Sequence, residues 1–543
     1  MRVHAGSLVA SWGVILDETP DRLGSLAAGA DAALGELVDR DAVSRTWSRD
    51  HTLWRDDPAE ISDRLGWLTV VPDMAAELDP LRATCDRLAA DVDHVLLAGM
   101  GGSSLFPEVV ARAARLDGAV AGAPSLHVLD TTDPAAVARV GAELRPDRTL
   151  HIAASKSGTT LETRSHLAWA WDRHPDPARF AAITDPGSAL AALAAERGFA
   201  AVFENPADLG GRYSALSLFG LVPAALSAPA EVDGLLASAT GITERLRTSP
   251  QANPAARLAA TVAAGVRSGR DKLTLVVPDG FATFGLWLEQ LLAESTGKDG
   301  TGVVPVVGEP LGEPAQYGDD RLFVSLSTTE VVAGATTSVV ETRGRLDALA
   351  DAGHPVAVLP FGGTFADLGA QVLLWELATA LAGALLGIHP FDQPDVAAAK
   401  AATGRVLEQG RPELATTPLD ELLGQVMPGD YLAIQAFVDP ASPVVDDIQA
   451  ARVALRDRLG VATTVGLGPR FLHSTGQLHK GGPDTGVFVQ VVGDDPDDVP
   501  IPGQAYGFSG LKHAQADGDL VTLRDRKRRA GRVTLGELLE VGT

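Results

Sequence analysis

The segment HIAASKSGTTLET, residues 151–163, places a lysine inside a run of short hydroxyl residues and glycine. Such small side chains let the backbone approach a ligand closely, and hydroxyl and N–H groups together bind phosphate oxygens. A second loop, GMGGSSL at residues 99–105, has the same character. Two capped helix starts are the alternative explanation. The candidate ligand-binding residues of the two loops are Gly101, Gly102, Ser103, Ser155, Lys156, Ser157, Gly158, Thr159 and Thr160.

Both loops follow short apolar runs that are typical of buried strands. Runs at 94–105, 125–133, 149–160 and 179–188 each end in glycine or small polar residues, and each precedes a helix-like stretch. Alternating strands and helices predict a parallel sheet covered on both faces, whose ligands bind at the carboxyl ends of the strands. Neither loop has the spacing of a P-loop or of a dinucleotide fingerprint, which counts against a nucleotide ligand.

The rest of the chain divides into similar units. Strand-like runs restart near 271–281 and lead to a long apolar helix, DLGAQVLLWELATALAGALLG. We therefore predict an α/β protein with two doubly wound parallel-sheet domains, a helical N-terminal segment and a mixed α/β C-terminal region. The sequence leaves open whether that last region folds separately or completes the second sheet. The predicted boundaries are 1–90, 91–247, 257–428 and 429–543.

Composition narrows the functions open to the chain. A chain of 543 residues is too long for one hydrophobic core, so several domains are expected. No apolar run approaches the ~18 residues that span a bilayer, so a soluble protein is expected. The formal charge of −25 counts against nucleic-acid binding, despite the basic run at 524–529. The single cysteine, Cys85, excludes an internal disulfide and is expected inside a helix. The first residues lack a basic leader, which favours a cytoplasmic protein.

Five motifs carry a resemblance to a known family. In chain order they are GMGGSSL, SKSGTT, GGRYSALS (210–217), AESTGK (293–298) and GIHPFDQPDVAAAK (387–400). Together they resemble the glucose-6-phosphate isomerase family, which is built from two sugar-isomerase domains. The segment 468–488 is similar to the isomerase half of bifunctional transaldolase and phosphoglucose isomerase proteins, although this chain has no room for a transaldolase barrel.

The resemblance implies a cofactor-free conversion of glucose 6-phosphate and fructose 6-phosphate. It assigns Glu294 as the base that moves a proton between C2 and C1, and Arg212 as the cation that stabilises the enediolate. Gln393 matches a substrate-binding glutamine and Lys400 a lysine that assists ring opening. Asp395 stands where the family usually has glycine. The resemblance also suggests a homodimer.

The ring-opening histidine of the family does not appear at its usual place, some thirty residues after the glutamate motif. The nearest candidates are His473 and His479, and we predict that the C-terminal region supplies one of them, His473 before His479. The alternative is two surface histidines on a glycine-rich turn. No His, Asp and Glu spacing predicts a metal site.

Two other functions fit parts of the pattern. A broader isomerase that also accepts mannose 6-phosphate differs only in pocket shape, which the sequence does not reveal. A sugar-phosphate-binding regulatory protein needs the loops but has no use for Glu294, Arg212 and Lys400 together.

Overall fold

The computed structural model describes residues 21–116, 122–328 and 338–542. It begins with helices α1 (Ala27–Asp39), α2 (Ala42–Trp47), α3 (Val70–Ala76) and α4 (Leu78–Ala89). The predicted helical N-terminal segment is confirmed for these residues, whereas the expectation about the leader falls on residues 1–20, outside the described part. Cys85 is buried in α4 as predicted, and burial raises the pKa of its thiol to about 12.

The first sheet has five parallel strands in the order β2-β1-β3-β4-β5. Its strands β3 and β4 are buried along their whole length, as expected for a sheet covered on both faces. The elements are β1 (His94–Ala98), α5 (Leu105–Leu116), β2 (Ser125–Leu129), α6 (Pro134–Glu143), β3 (Thr149–Ala154), α7 (Leu161–Arg173), β4 (Phe180–Thr184), α8 (Ala189–Arg197) and β5 (Ala201–Glu204).

The second sheet has four parallel strands in the order β7-β6-β8-β9. Three helices lead into it: α9 (Leu218–Ser227), α10 (Val232–Leu246) and α11 (Pro254–Arg267), the last capped by Asn253. The remaining elements are β6 (Lys272–Val276), α12 (Ala282–Thr296), β7 (Val304–Val307), β8 (Arg321–Ser327), α13 (Val339–Asp351), β9 (Val356–Pro360) and α14 (Asp367–Leu386).

Helix α14 is the centre of the main hydrophobic core. By length and composition it could cross a membrane, contrary to the expectation that no apolar run is long enough, but its apolar stretch is entirely buried inside the protein. It packs against α10 and α11, whose inward faces are rich in alanine and leucine. A helix that is apolar on all sides is stable in water only where other elements surround it, and here they do.

The C-terminal region forms a sheet of its own, with four parallel strands in the order β11-β10-β12-β13. This settles the question that the sequence left open. Its elements are α15 (Val396–Gln409), α16 (Leu419–Leu423), β10 (Tyr431–Phe437), α17 (Val444–Leu459), β11 (Ala462–Leu467), α18 (Gly476–Gly481), β12 (Gly486–Val492), α19 (Phe508–Asp525), β13 (Arg529–Arg532) and α20 (Leu535–Glu540).

The α/β fold class, with two parallel-sheet domains of the sugar-isomerase type, is confirmed. In all three sheets the strand that comes first in sequence lies between the second and the third strand. The connections that follow the first and the second of these strands therefore cross the sheet in opposite directions. This reversal opens a crevice at the carboxyl ends of the two strands involved, which in the first sheet are β1 and β3. The exact domain boundaries stay predictions, and α15, placed before the third sheet, packs on α19 within the C-terminal region.

Candidate active site

The two predicted loops lie side by side at the crevice of the first sheet. The glycine loop, residues 99–104, follows β1, and the hydroxyl loop, residues 155–160, follows β3. Ser155 accepts a hydrogen bond from the backbone N–H of Gly158 at 3.1 Å, and its hydroxyl lies 3.1 Å from that of Thr160. Ser157 and Thr159 are exposed, with their hydroxyls 2.7 Å apart. The hydroxyl loop thus presents the exposed hydroxyls of Ser157 and Thr159 at the start of α7.

Gly158 restricts the backbone conformation of this loop, and Lys156 sets the charge beside it. Gly158 has a φ of +71°, and a Cβ there would overlap the backbone of Leu190, so that only glycine fits. The ammonium group of Lys156 donates to Asp185 and, at 2.9 Å, to the carbonyl of Ala207. Lys156 therefore places its charge at the edge of the loop, beside a carboxylate.

The glycine loop touches three segments that are remote in the chain. A Cβ at Gly102 would overlap the carbonyl oxygen of Gly211, and a Cβ at Gly101 would press on Gln290 and His473. Ser103 is half-buried beside them. Close backbone packing at these glycines brings the turn Gly211–Tyr213, helix α12 and the C-terminal region to the same place.

Arg212 and Glu294 face each other in this region. The Arg212 side chain is 2% exposed, and its Nη1 lies 3.5 Å from Oε1 of Glu294. Its Nε donates to Ser295 at 2.8 Å, and Nη1 donates to Gln393 at 3.0 Å. Its Nη2 donates to the carbonyls of residues 390 and 392. The guanidinium is therefore fixed from several directions, so that its charge is already in position before a ligand binds.

The segment that carries Gln393 is held by a second cation. The Nζ of Lys298 donates to the carbonyl of His389 at 2.6 Å and to a carboxylate oxygen of Asp392 at 2.6 Å, and it shares the Asp392 carbonyl with Arg212. Burial lowers the pKa of this ammonium to about 7. The ring of His389 packs edge-to-face against Phe391, with the ring centroids 6.1 Å apart.

His473 belongs to this cluster. It ends the turn Arg470–His473, and its Nε2 lies 2.9 Å from Oε1 of Glu162, in the first turn of α7. Burial alone would raise the pKa of Glu162, but the charge and hydrogen bond of His473, with help from Lys400, lower it to about 2. The amide of Gln290 donates both to the carbonyl of His473 at 2.8 Å and to Glu294 at 3.0 Å.

The remaining two candidates lie in different settings. Lys400 is exposed on α15, close enough to Glu162 for its charge to act on that carboxylate. The ring of His479 is buried between Phe471 and Phe488, with Gln435 at 3.3 Å from its Nδ1. Burial lowers the pKa of His479 well below its usual range. The structure brings His473 to the loops and packs His479 in the core of the C-terminal region.

The chain is similar to known phosphoglucose isomerases. The phosphoglucose isomerase family model matches residues 69–313. A glucose-6-phosphate isomerase of Rubrobacter xylanophilus is 32% identical over 60% of this chain and 83% of its own length. One of Synechococcus elongatus is 30% identical over 76% of this chain and 83% of its own length. The chain belongs to the phosphoglucose isomerase family.

Solved structures give the same fold. A hypothetical protein of Thermus thermophilus aligns with a TM-score of 0.61 and 25% identity, covering 72% of this chain and all of its own. A glucose-6-phosphate isomerase of Chlamydia trachomatis aligns with a TM-score of 0.52 and 22% identity, over 68% of this chain and 78% of its own. The prediction of an enzyme of the aldose–ketose isomerase class is confirmed by the family relationship.

Sequence reasoning missed two residues of this phosphoglucose isomerase family site. Glu162 stands two residues after the hydroxyl loop, and Gln290 precedes Glu294 by one helical turn. An acid in the first turn of a helix usually only stabilises the helix dipole, so that Glu162 gave no separate signal. Gln290 is at the spacing that places two side chains on one helix face, which is the signal that could have found it.

A cavity of about 490 Å³ at the carboxyl ends of the second sheet lies apart from this site. Its lining contains two ion pairs, Arg22 with Asp347 and Arg345 with Glu341. Within the described ranges, no group of three or more His, Cys, Asp or Glu side chains could hold a metal ion.

Proposed function

We propose that the protein is a glucose-6-phosphate isomerase that interconverts glucose 6-phosphate and fructose 6-phosphate through an enediolate. One observation supports this most strongly. The Arg212 guanidinium lies 3.5 Å from the Glu294 carboxylate and donates to Gln393. Each of these residues is more than 80 positions from the other two in the chain, yet they meet at the glycine loop. A proton transfer between adjacent carbons needs one carboxylate base and one fixed cation, and this pair supplies both.

The phosphate is assigned to the hydroxyl loop. Its exposed hydroxyls and backbone N–H groups, next to the positive end of α7, suit an anion without an added metal. The glycine loop then lies between the phosphate and the reacting carbons. The side chain of Lys156, paired with Asp185, contributes positive potential at the rim of the loop rather than a direct contact.

Ring opening is assigned to His473, with Lys400 nearby. Glu162 accepts a hydrogen bond from Nε2 of His473, which leaves Nδ1 as the nitrogen that exchanges protons with the sugar. After opening, Glu294 removes the C2 proton and returns it to C1, and Arg212 stabilises the enediolate that forms in between. Glu162 is the partner of His473, whereas His479 is buried between two phenylalanine rings. Ring opening is therefore assigned to His473 alone.

The pair of Glu162 and His473 is complete within one chain. The homodimer that the family resemblance suggests and the expected cytoplasmic location are part of the proposal, and sedimentation equilibrium on the purified protein tests the homodimer. A regulatory protein that only binds sugar phosphates is less well supported, because it has no need of the fixed pair of Arg212 and Glu294.

The test compares two glutamates of one helix. Glu294→Gln removes the proposed base, and we expect turnover of fructose 6-phosphate in a coupled assay to fall about 10²- to 10⁴-fold. Glu289→Gln, five residues earlier on α12, is the matched control and should retain activity within a few-fold. Wild-type protein without turnover, or equal activity in both variants, would contradict the proposal.

A further inference from the structure

Helix α19 supplies a polar side chain to the pair formed by Glu162 and His473. The Nε2 of Gln515 donates to Oε1 of Glu162 at 2.6 Å, which is the same oxygen that lies 2.9 Å from His473. Gln515 is 3% exposed, and its Oε1 accepts a hydrogen bond from the hydroxyl of Thr132 at 2.7 Å. A chain of hydrogen bonds therefore runs from Thr132 through Gln515 and Glu162 to His473.

The direction of this chain is set by Glu162, because an ionised carboxylate only accepts, whereas a threonine hydroxyl can donate or accept. The NH₂ group of Gln515 therefore faces Glu162, and the amide oxygen accepts from the hydroxyl of Thr132. An amide N–H that donates to a carboxylate favours the ionised form of that carboxylate. An ionised Glu162 only accepts, so that the ring nitrogen facing it must carry a proton.

We propose that Gln515 is a positioning residue for ring opening: oriented by Thr132, it holds the Glu162 carboxylate in the orientation that keeps a proton on Nε2 of His473. The proposal rests on the proposed function, because it takes His473 as the group that opens the sugar ring. Gln515 itself touches no reacting atom. It lies on an element of the C-terminal region, whereas Glu162 and Thr132 belong to the first domain.

Lys400 and His166 are other titratable groups that act on the pair. Lys400 acts on Glu162 from α15, and His166 faces it from the next turn of α7. The Nε2 of His166 bonds the carbonyl of Thr131 at 2.9 Å, and burial lowers the pKa of His166 to about 4, so this ring is neutral near pH 7. On the other side, Gln290 holds the backbone of His473. Gln515 is thus the neutral donor on the oxygen that His473 uses.

The first experiment measures the tautomer of His473 in the full-length protein by ¹⁵N NMR of the imidazole rings, with the signal assigned through a His473→Asn variant. The wild type should show the form protonated at Nε2, and Gln515→Met, which keeps the shape and removes both hydrogen bonds, should show a mixture of tautomers. An unchanged tautomer in a folded Gln515→Met variant overturns the proposal, whether or not the protein isomerises sugar phosphates.

The second experiment measures the exchange of α and β glucose 6-phosphate by NMR beside the coupled isomerisation assay. Gln515→Met should slow anomer exchange roughly tenfold. Gln515→Glu puts a second carboxylate against Glu162, so that the two share a proton and the acid limb of the pH profile moves up by about one pH unit or more. Thr132→Val should have a smaller effect in the same direction.

The matched control is Gln435→Met, which alters another buried glutamine of the C-terminal region, beside His479. It should leave anomer exchange and its pH profile unchanged. If wild-type protein does not isomerise at all, the proposed function fails and the tautomer measurement still decides the role of Gln515. If wild type isomerises, Gln515→Met keeps the wild-type rate of anomer exchange and Gln515→Glu keeps the wild-type pH profile, the role of Gln515 fails alone.

Discussion

Two glutamates on α12 show how strongly the surroundings set the chemistry of one residue type. Glu294 faces a guanidinium, whereas the buried Glu289 has only the hydroxyl of Ser474 at 3.3 Å as a close partner and the more distant charges of Arg452 and Arg470. Burial raises the pKa of Glu289 to about 7. A raised pKa is often a sign of catalysis, but here the geometry favours Glu294.

This difference predicts a pH-dependent stability that Glu289→Gln removes. Between pH 4.5 and 7 the unfolded chain ionises this carboxyl while the folded protein keeps it protonated, so that wild type loses stability as the pH rises. This shift in the pKa of Glu289 corresponds to about 3 kcal/mol in the free energy of unfolding, and this contribution is fully lost above pH 7. Urea unfolding of wild type and of Glu289→Gln at pH 5 and pH 8 measures how the difference between their free energies of unfolding changes with pH. Parallel stability curves would show that Glu289 is ionised in the folded protein.

At the level of single residues, the family resemblance predicted Arg212, Glu294 and Gln393, and the structure brings both Glu294 and Gln393 into contact with Arg212. The preference for His473 over His479 had no basis in spacing, because both lie in one short segment. Only the fold separates them: the turn Arg470–His473 reaches Glu162, whereas α18 packs its histidine between aromatic rings. A side chain's partner across 311 positions is not readable from local pattern.

At the level of elements, the C-terminal region holds the segment between Gln393 and Lys400. The backbone N–H of Asp395 donates to Gln477 of α18 at 2.9 Å, and its carboxylate accepts from Gln477 at 2.6 Å and pairs with Arg526 at 2.6 Å. Gln477 also donates to the carbonyl of Gly297, just after α12. Asp395, which departs from the family pattern, therefore has a structural partner in this chain.

We expect Gln477→Ala to raise KM for fructose 6-phosphate roughly tenfold, with a smaller change in kcat. The variant leaves buried polar groups of two segments unpaired, which costs about 1–3 kcal/mol and loosens the segment that carries Gln393. Steady-state kinetics measures the effect, and Arg526→Ala, which removes a partly exposed ion pair, serves as the control with little change. An unchanged KM in Gln477→Ala would mean that other contacts suffice to hold this segment.

The packing of the glycine loop against the turn Gly211–Tyr213 gives a second prediction with its own control. Gly102→Ala would force a Cβ into the carbonyl of Gly211, so it should displace Arg212 and lower kcat/KM at least tenfold. Gly211→Ala has open space at its Cβ and should be tolerated. Circular dichroism confirms folding of both variants, and a Gly102→Ala enzyme as active as Gly211→Ala would speak against close packing at this point.

The strands and helices that form the two predicted sheets could be read from the sequence, since short apolar runs followed by small polar residues mark parallel strands. The sequence did not resolve the third sheet, because β13 (Arg529–Arg532) consists of two arginines with an alanine and a glycine between them, which no strand pattern predicts. Its arginines pair instead with buried or half-buried carboxylates, as Arg529 does with Asp430 and Arg532 with Asp517. Within the basic run at 524–529, Arg526, Arg528 and Arg529 form ion pairs inside the chain.

On the scale of the whole molecule, the C-terminal region is joined to the first domain through buried charges. Lys512 of α19 is fully buried and bonds Asp133, Asp495 and the carbonyl of Gly493. The last two follow β12, one of the two strands at the crevice of the third sheet, so that this crevice is filled by the protein itself. The crevice of the first sheet, in contrast, carries the exposed hydroxyls of Ser157 and Thr159.

Lys512→Met should therefore destabilise the whole protein and lower activity together. Removing the cation takes the ammonium partner away from two carboxylates, those of Asp133 and Asp495, and breaking a buried ion pair typically costs about 3–5 kcal/mol. Since α19 also carries Gln515 and packs on α15, loosening it should disturb the surroundings of His473 and Lys400 at once. Urea unfolding and the coupled assay measure the two effects, with the exposed Lys527→Met as a control expected within about 0.5 kcal/mol of wild type. A Lys512→Met protein that keeps full activity while losing stability would mean that the ion pairs hold the regions together without positioning the site.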